Sequence, residues 1–225
     1  MKTLTTIFLA LFLIMSSSHI LAQEHDWANF KRYEEQNKMV STPSHVVFLG
    51  NSITEFWNRV DPNFFTKNNF INRGIGGQTT SEMLARFRPD VINLKPRVAV
   101  ILAGTNDLAR NNGYISLENI LNNIISMTEL AKHNGIKVIL CSVPPANQFP
   151  WREYLQPAED VVALNAMIKK YATENNIIYV DYYSALADDK GGIPKKYSKD
   201  GVHPNLEAYK VMEEIILKAI NSIEY

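Results

Sequence analysis

Two short segments of the sequence carry side chains that could hydrolyse an ester. Ser52 lies in HVVFLGNSITEFW, where a buried-looking apolar run ends at a glycine and a helical pattern of apolar residues begins. Asp200 and His203 lie three positions apart in SKDGVHPN. This spacing lets a carboxylate hydrogen-bond one imidazole nitrogen while the other nitrogen faces a nucleophile. The residues predict a triad in which Asp200 fixes the tautomer, His203 takes the proton and Ser52 attacks.

Acyl transfer also needs hydrogen-bond donors for the oxyanion that develops on the substrate carbonyl. The backbone N–H of Ser52, at a helix start, is one candidate. Gly77 in GIGGQTT offers a second backbone N–H with no side chain to obstruct it. Asn106 in AGTND offers a side-chain amide. These three groups are the predicted oxyanion hole.

Each motif alone has a simpler structural explanation. Ser52 could be a plain helix N-cap, since serine is favoured there. Asp200 could cap a helix beside a surface histidine, GIGG could be an ordinary turn, and Asn106 with Asp107 could form an Asx turn. The decision between these alternatives depends on whether the motifs meet in space.

The order of elements predicts that they do. Short apolar runs typical of buried parallel strands cover residues 45–49, 69–72, 98–103, 137–142 and 177–181. Helical patterns cover residues 26–40, 80–87, 117–133, 158–173 and 206–220, and another begins near Ile53. This alternation predicts a flavodoxin-like three-layer α/β/α sandwich around a central parallel sheet of about five strands. Ligands of such sheets bind beyond the carboxyl ends of the strands, where the polar and glycine-rich segments gather.

Composition sets the broad class of protein. The chain has 225 residues, 46% hydrophobic and 20% charged, with a formal net charge of zero, so nothing indicates a nucleic-acid partner. Lys2, an apolar stretch over residues 7–15 and Ala22 predict a signal peptide over residues 1–22, followed by a single domain over 23–225. An uncleaved amphipathic anchor is the alternative. Export to the periplasm or the medium is therefore expected, with no stable membrane insertion after cleavage.

Other chemistries find less support in the sequence. The five histidines are scattered singly, so no metal site is expected, and the single cysteine, Cys141, is predicted to be a buried small apolar residue. GIGGQT has threonine where the last glycine of a dinucleotide motif would stand, and no Walker lysine exists. Thr54 replaces the last glycine of the G-x-S-x-G elbow of α/β-hydrolases. No cofactor is expected.

With these motifs in order, the chain resembles the SGNH hydrolases, also called GDSL-type lipases and esterases. GNSITEFW, GIGGQTT, GTND and DGVHPN resemble the family's four segments, and the resemblance covers about residues 45–220. It implies Ser52 as nucleophile, Gly77 and Asn106 in the oxyanion hole, and Asp200 with His203 completing the triad. The aspartate that usually precedes the serine is Asn51 here. The choice of Gly77 over Gly76 follows the family's placing of its glycine before a polar residue and threonines.

The substrate is harder to predict. Asn51 and the aromatic residues of the segment 144–157, namely Phe149, Trp151 and Tyr154, are candidate substrate contacts, although loop packing explains the aromatics equally well. The resemblance includes acetylhydrolases, and for an exported protein we expect O-deacetylation of a glycan in preference to lipid cleavage. The expected partner is a small-molecule or glycan ester substrate. The alternatives are a lipase, a lysophospholipase-like or thioester acylhydrolase, and a non-catalytic glycan-binding module. The oligomeric state stays open.

Overall fold

The computed structural model describes residues 26–40 and 46–223. Five strands form one all-parallel sheet in the order β2-β1-β3-β4-β5. The strands are β1 (Val46–Gly50), β2 (Phe70–Gly74), β3 (Val98–Leu102), β4 (Lys137–Cys141) and β5 (Ile178–Val180). All five predicted strands are present within two residues of their expected ends. Helices cover the sheet, so the predicted α/β/α architecture is confirmed.

The helices differ more from prediction. They are α1 (Glu34–Lys38), α2 (Ser52–Val60), α3 (Pro62–Asn68), α4 (Thr80–Ala85), α5 (Phe87–Asp90), α6 (Thr105–Leu108), α7 (Leu117–His133), α8 (Ala158–Glu174), α9 (Tyr182–Leu186) and α10 (Leu206–Asn221). The three long helices α7, α8 and α10 match the sequence prediction within one residue. Short helices such as α3, α6 and α9 were missed because four to seven residues cannot display a full apolar period.

The predicted helix over residues 26–40 is wrong. This segment contains a 3₁₀ turn at Phe30–Arg32 and the short helix α1, separated by Tyr33. Asn29 adopts a left-handed conformation with φ of 55° and Tyr33 has φ of −117°, so neither continues a helix. The contacts of this segment with distant parts of the chain decide its path.

Strand side chains alternate between two apolar layers, as parallel strands covered on both faces require. One layer packs α7 and α8 on the sheet through residues that include Val47, Leu49, Ala99, Ile101, Leu140, Ile124, Leu164 and Ile168. The other packs α2, α3 and α10 through residues that include Val46, Phe48, Val100, Ile139, Trp57, Phe65, Tyr209 and Ile216. Cys141 lies in this second layer, completely buried, and burial raises the pKa of its thiol to about 12. The thiol is therefore an apolar packing group, as expected.

The strand order determines where polar segments meet. β1 lies between β2 and β3 in the sheet. β2 is therefore added on one side of β1, and β3, β4 and β5 are added on the other side. The segments that follow these three strands carry Ser52, Gly77 and Asn106 in turn. A crevice at this switch point is the expected binding position in an open parallel sheet.

The predicted signal peptide, its boundary at Ala22 and the first residue of the predicted strand 45–49 lie outside the described residues. Within the described residues, no helix combines the length and apolar character needed to cross a bilayer.

Candidate active site

The structure brings Ser52, His203 and Asp200 into one hydrogen-bonded row. Ser52 Oγ lies 2.9 Å from His203 Nε2. On the other side of the ring, His203 Nδ1 lies 2.6 Å from Asp200 Oδ2. The imidazole thus contacts a hydroxyl through one nitrogen and a carboxylate through the other, the arrangement that proton transfer from a serine requires.

The loop of residues 198–203 holds the Asp200 carboxyl from several directions. Its Oδ1 accepts hydrogen bonds from Ser198 Oγ at 3.0 Å, Val202 N at 3.0 Å and His203 N at 2.8 Å. Burial acts to raise the pKa of Asp200, but the hydrogen bonds from the His203 ring and from the two backbone N–H groups outweigh it and lower the pKa to about 2. Asp200 is therefore a carboxylate over the whole ordinary pH range.

Ser52 is positioned by a sharp connection between β1 and α2. Asn51 caps α2, with its Oδ1 accepting from Ile53 N at 2.9 Å, so the cap is Asn51 and not Ser52. The Ser52 hydroxyl is left to face His203. Gly50 is required at this turn because a Cβ there would come within 2.0 Å of Thr54 Oγ1. Tyr209 of α10 donates to the Ile53 carbonyl at 2.8 Å, which fixes α2 against the helix that follows His203.

Two of the three predicted oxyanion donors are backbone N–H groups. Among the described residues, the N–H groups of Ser52 and Gly77 have no protein acceptor. Gly77 has φ of +79°, a conformation that side-chain-bearing residues rarely adopt, although nothing lies within 4 Å of where its Cβ would be. The neighbouring Gly76 N–H already donates to Glu55 Oε2 at 2.8 Å. Gly77 is thus the glycine with an available N–H.

The third predicted donor, Asn106, is a buried residue of α6. Its Nδ2 donates to the Gln78 carbonyl at 2.9 Å, which uses one of the two N–H groups of the amide and leaves the second. This bond also ties the segment after β3 to the segment after β2. The next residue, Asp107, accepts from both the N–H and the hydroxyl of Thr80, at 3.0 and 2.6 Å.

The four predicted substrate contacts have different positions. Phe149 and Asn51 are completely buried, so both predictions are corrected: Phe149 belongs to the core and Asn51 is a helix cap. Trp151 is half-buried and packs against Phe149 in a tilted arrangement, with ring centroids 5.4 Å apart. The centre of its ring lies 6.3 Å from that of the His203 ring. Tyr154 is exposed, and no contact with the triad is found for it within the described residues.

Sequence reasoning missed Asn111, which links two parts of the site. Its Nδ2 donates to the Gly77 carbonyl at 3.1 Å, and its Oδ1 accepts from Trp151 Nε1 at 3.0 Å. The segment of Gly77 and the indole ring beside His203 are therefore held by one side chain. Nothing in the local sequence indicates this, because both partners of the Asn111 side chain are distant along the chain. Phe56, whose ring lies 5.1 Å from that of His203, was also missed.

The chain is similar to known proteins in sequence and in fold. Residues 48–211 match the model of the GDSL-like Lipase/Acylhydrolase family. A Bacteroides fragilis protein of known structure is 48% identical, with a TM-score of 0.87 over 88% of this chain and 98% of that one. A GDSL-like lipase from Bacteroides thetaiotaomicron is also 48% identical, with a TM-score of 0.85 over 87% of this chain and 98% of that one.

Curated relatives are more distant. An acetylxylan esterase from Geobacillus stearothermophilus is 26% identical over 67% of this chain and 71% of its own length. A Bacillus subtilis lipoprotein is 37% identical over 33% of this chain, and a Pseudomonas aeruginosa esterase is 28% identical over 61% of it. These two matches span 32% and 62% of those proteins' own lengths. The family match over residues 48–211, together with the structural likeness, leads to one conclusion: the chain belongs to the GDSL-like lipase/acylhydrolase family.

Proposed function

We propose that this protein is a carboxylic ester hydrolase that removes acyl groups, with O-acetyl groups on carbohydrate as the favoured substrate. Ser52, His203 and Asp200 act as its triad. The observation that carries this proposal is the row of contacts from Ser52 Oγ to His203 Nε2, at 2.9 Å, and from His203 Nδ1 to Asp200 Oδ2, at 2.6 Å. Family membership and the esterase relatives support the same reaction class.

In the first half of the reaction, Ser52 Oγ attacks the ester carbonyl carbon while its proton moves to His203 Nε2. The negative charge on the carbonyl oxygen is stabilised by the N–H groups of Ser52 and Gly77 and by the free amide N–H of Asn106. His203 then gives the proton to the departing alcohol oxygen. In the second half, water attacks the acyl carbonyl carbon and passes a proton to His203. His203 returns this proton to Ser52 Oγ as the bond between Oγ and the acyl carbon breaks, which releases the carboxylic acid and restores the serine.

The acetyl preference is supported by the names of relatives. The Geobacillus relative is an acetylxylan esterase, and a Saccharomyces cerevisiae relative, 22% identical over 78% of this chain, is an isoamyl acetate-hydrolyzing esterase. Both act on acetate esters, and the first acts on a glycan. We propose that this chain shares the acetyl specificity.

We also propose that the protein is exported, with residues 1–22 removed and residues 23–225 folding as one domain. The sequence of the first 22 residues supports this, and the Bacillus subtilis relative is a lipoprotein. Mass spectrometry of the mature protein tests the cleavage site, and an N-terminus at any position other than Gln23 would refute the boundary.

The reaction is tested with 4-nitrophenyl acetate and a Ser52→Ala variant. We expect kcat to fall about 10⁶-fold, to the assay background, with the circular dichroism spectrum unchanged. Ser222→Ala, an exposed serine just after α10, is the matched control and should keep full activity. Wild-type rates in the Ser52→Ala variant would remove Ser52 from the mechanism.

The acyl preference is tested by comparing 4-nitrophenyl acetate with the octanoate ester on the same enzyme. We expect the acetate ester to give the higher kcat/KM. A preference for octanoate would favour the lipase-like alternative and leave the triad unaffected, because both esters are cleaved by the same chemistry.

A further inference from the structure

A cleft of about 570 Å³ opens beside the segment that carries Gly77, and two exposed aromatic rings line it. Trp27 is 53% exposed and Tyr114 is 75% exposed. Polar side chains complete the lining, among them Ser81, Glu82 and Asn112. Aromatic faces beside hydrogen-bonding groups suit a ligand that has an apolar face and a polar edge. A sugar ring has this character.

The ring of Trp27 lies on an ordered turn. The two carboxylate oxygens of Asp26 accept from Phe30 N and Lys31 N, each at 2.9 Å. The carbonyl of Ala28, which is completely buried, accepts from Gln78 Nε2 at 2.8 Å. The chain on both sides of Trp27 is therefore held, and Ala28 ties it to the segment that follows β2, while about half of Trp27 remains in contact with solvent.

The ring of Tyr114 is also held in place. The guanidinium carbon of Arg110 lies 5.3 Å from the centre of the ring. Tyr114 follows Gly113, whose φ of +92° sets the turn after α6. A ligand that stacks on two positioned rings loses less conformational entropy than one that must order them. Core packing does not account for either ring, because both are exposed.

The cleft is lined by the chain segments that also carry the proposed oxyanion hole. Two of its lining residues, Thr79 and Asp107, directly follow Gln78 and Asn106, and the Asn106 amide contacts the Gln78 carbonyl at 2.9 Å. A third, Asn112, follows Asn111, which donates to the Gly77 carbonyl. The segments after β2 and β3 therefore connect the cleft with the proposed oxyanion hole.

We infer that this cleft, defined by Trp27, Tyr114, Ser81, Glu82 and Asn112, binds sugar rings of an acetylated oligosaccharide next to the residue that loses its acetyl group. The inference rests on the proposed function and concerns the sugar residues of the substrate that do not react. A long acyl chain fits the cleft less well, because it would cover the exposed polar side chains of Ser81 and Asn112 without offering them hydrogen bonds.

The test uses a double variant, Trp27→Ala with Tyr114→Ala, on 4-nitrophenyl acetate and on four chemically acetylated hexasaccharides of xylose, mannose, glucose and N-acetylglucosamine. We expect kcat/KM for at least one hexasaccharide to fall about tenfold, because removing stacked Trp and Tyr rings typically costs that much or more. The same variant should hydrolyse 4-nitrophenyl acetate within twofold of the wild-type rate. Val162→Ala, which shortens an exposed apolar side chain of α8 outside the cleft, is the control and should change the rate on neither substrate.

Equal loss on both substrate types would mean that the rings support the catalytic residues, and it would overturn the inference. No selective loss on any of the four hexasaccharides would also overturn it. A different result would refute the proposed function, namely a Ser52→Ala variant that keeps the wild-type rate on 4-nitrophenyl acetate. Isothermal titration calorimetry of the unacetylated hexasaccharides with Ser52→Ala, with and without the two aromatic substitutions, measures their binding in the absence of turnover. If the hexasaccharides bind equally well with and without the two aromatic rings, or do not bind at all, the inference is refuted.

Discussion

Each oxygen of Asp200 has a different set of partners. Oδ1 accepts three hydrogen bonds from its own loop, whereas Oδ2 faces only the ring of His203. The loop therefore fixes the carboxylate before any substrate arrives, and the carboxylate fixes the imidazole. Although the Asp200 side chain is 43% exposed, its orientation does not depend on burial.

Replacing Asp200 by Asn should lower kcat on 4-nitrophenyl acetate by about 10⁴-fold. An amide can keep the hydrogen bonds to the loop through its oxygen, but its N–H₂ then faces Nδ1 and favours the wrong tautomer of His203. Asp189→Asn, which removes an exposed carboxylate, is the control for the change in charge. A loss smaller than tenfold would mean that another acid orients His203.

At the scale of elements, one buried arginine connects the segments around the site. Arg86, at the end of α4, is completely buried. It pairs with Asp90 at 2.9 Å and donates to the Gly50 carbonyl at 3.1 Å and to the Gln78 side chain. The strand that leads to Ser52 and the loop that carries Gly77 are thus joined through one guanidinium. Burial lowers the pKa of Arg86, and the Asp90 carboxylate opposes that effect.

Arg86→Met should destabilise the protein by about 3–5 kcal/mol, because it leaves Asp90 as a buried charge without its cation. Urea denaturation followed by circular dichroism measures the change. Arg88→Met, two residues along at an exposed position, is the matched control and should stay within about 0.5 kcal/mol of the wild type. If the two variants unfold at the same urea concentration, the buried network does not stabilise these elements.

At the scale of the whole molecule, Asp107 should make the free energy of unfolding depend on pH. Burial raises the pKa of Asp107 to about 6, against the opposing hydrogen bonds from Thr80. The folded protein therefore binds this proton more tightly than the unfolded chain does. The stability that Asp107 contributes is fully present below the pKa of the unfolded chain and is lost as the pH rises towards 6.

The difference in unfolding free energy between Asp107→Asn and the wild type should consequently increase in favour of the variant by roughly 2 kcal/mol between pH 4 and pH 7. Only the change with pH is diagnostic, since the Asn side chain also alters the bonds to Thr80. Urea titrations of both proteins at closely spaced pH values give the two curves. Parallel curves would contradict a raised pKa at Asp107.

The sequence alone determined the elements with strong periodicity or long apolar runs. The five strands and the helices α7, α8 and α10 are predictable because each contains several apolar residues at the spacing of its own secondary structure. The residues of the proposed triad could also be picked out, because Asp200 and His203 lie three positions apart and Ser52 lies two positions after a glycine at the end of a strand. Local spacing thus indicated the proposed chemistry.

Only the tertiary structure decided which groups meet and which stay available. Asn111 contacts Gly77 and Trp151 from 34 and 40 positions away, and no local pattern encodes such pairs. The same holds for the availability of the Gly77 N–H, since the N–H of the neighbouring Gly76 donates to Glu55. Phe149 looked like a substrate contact because its segment is aromatic, but packing buried it. Hydrogen-bond availability and burial are properties of the assembled chain, because they depend on neighbours that are far apart in the sequence.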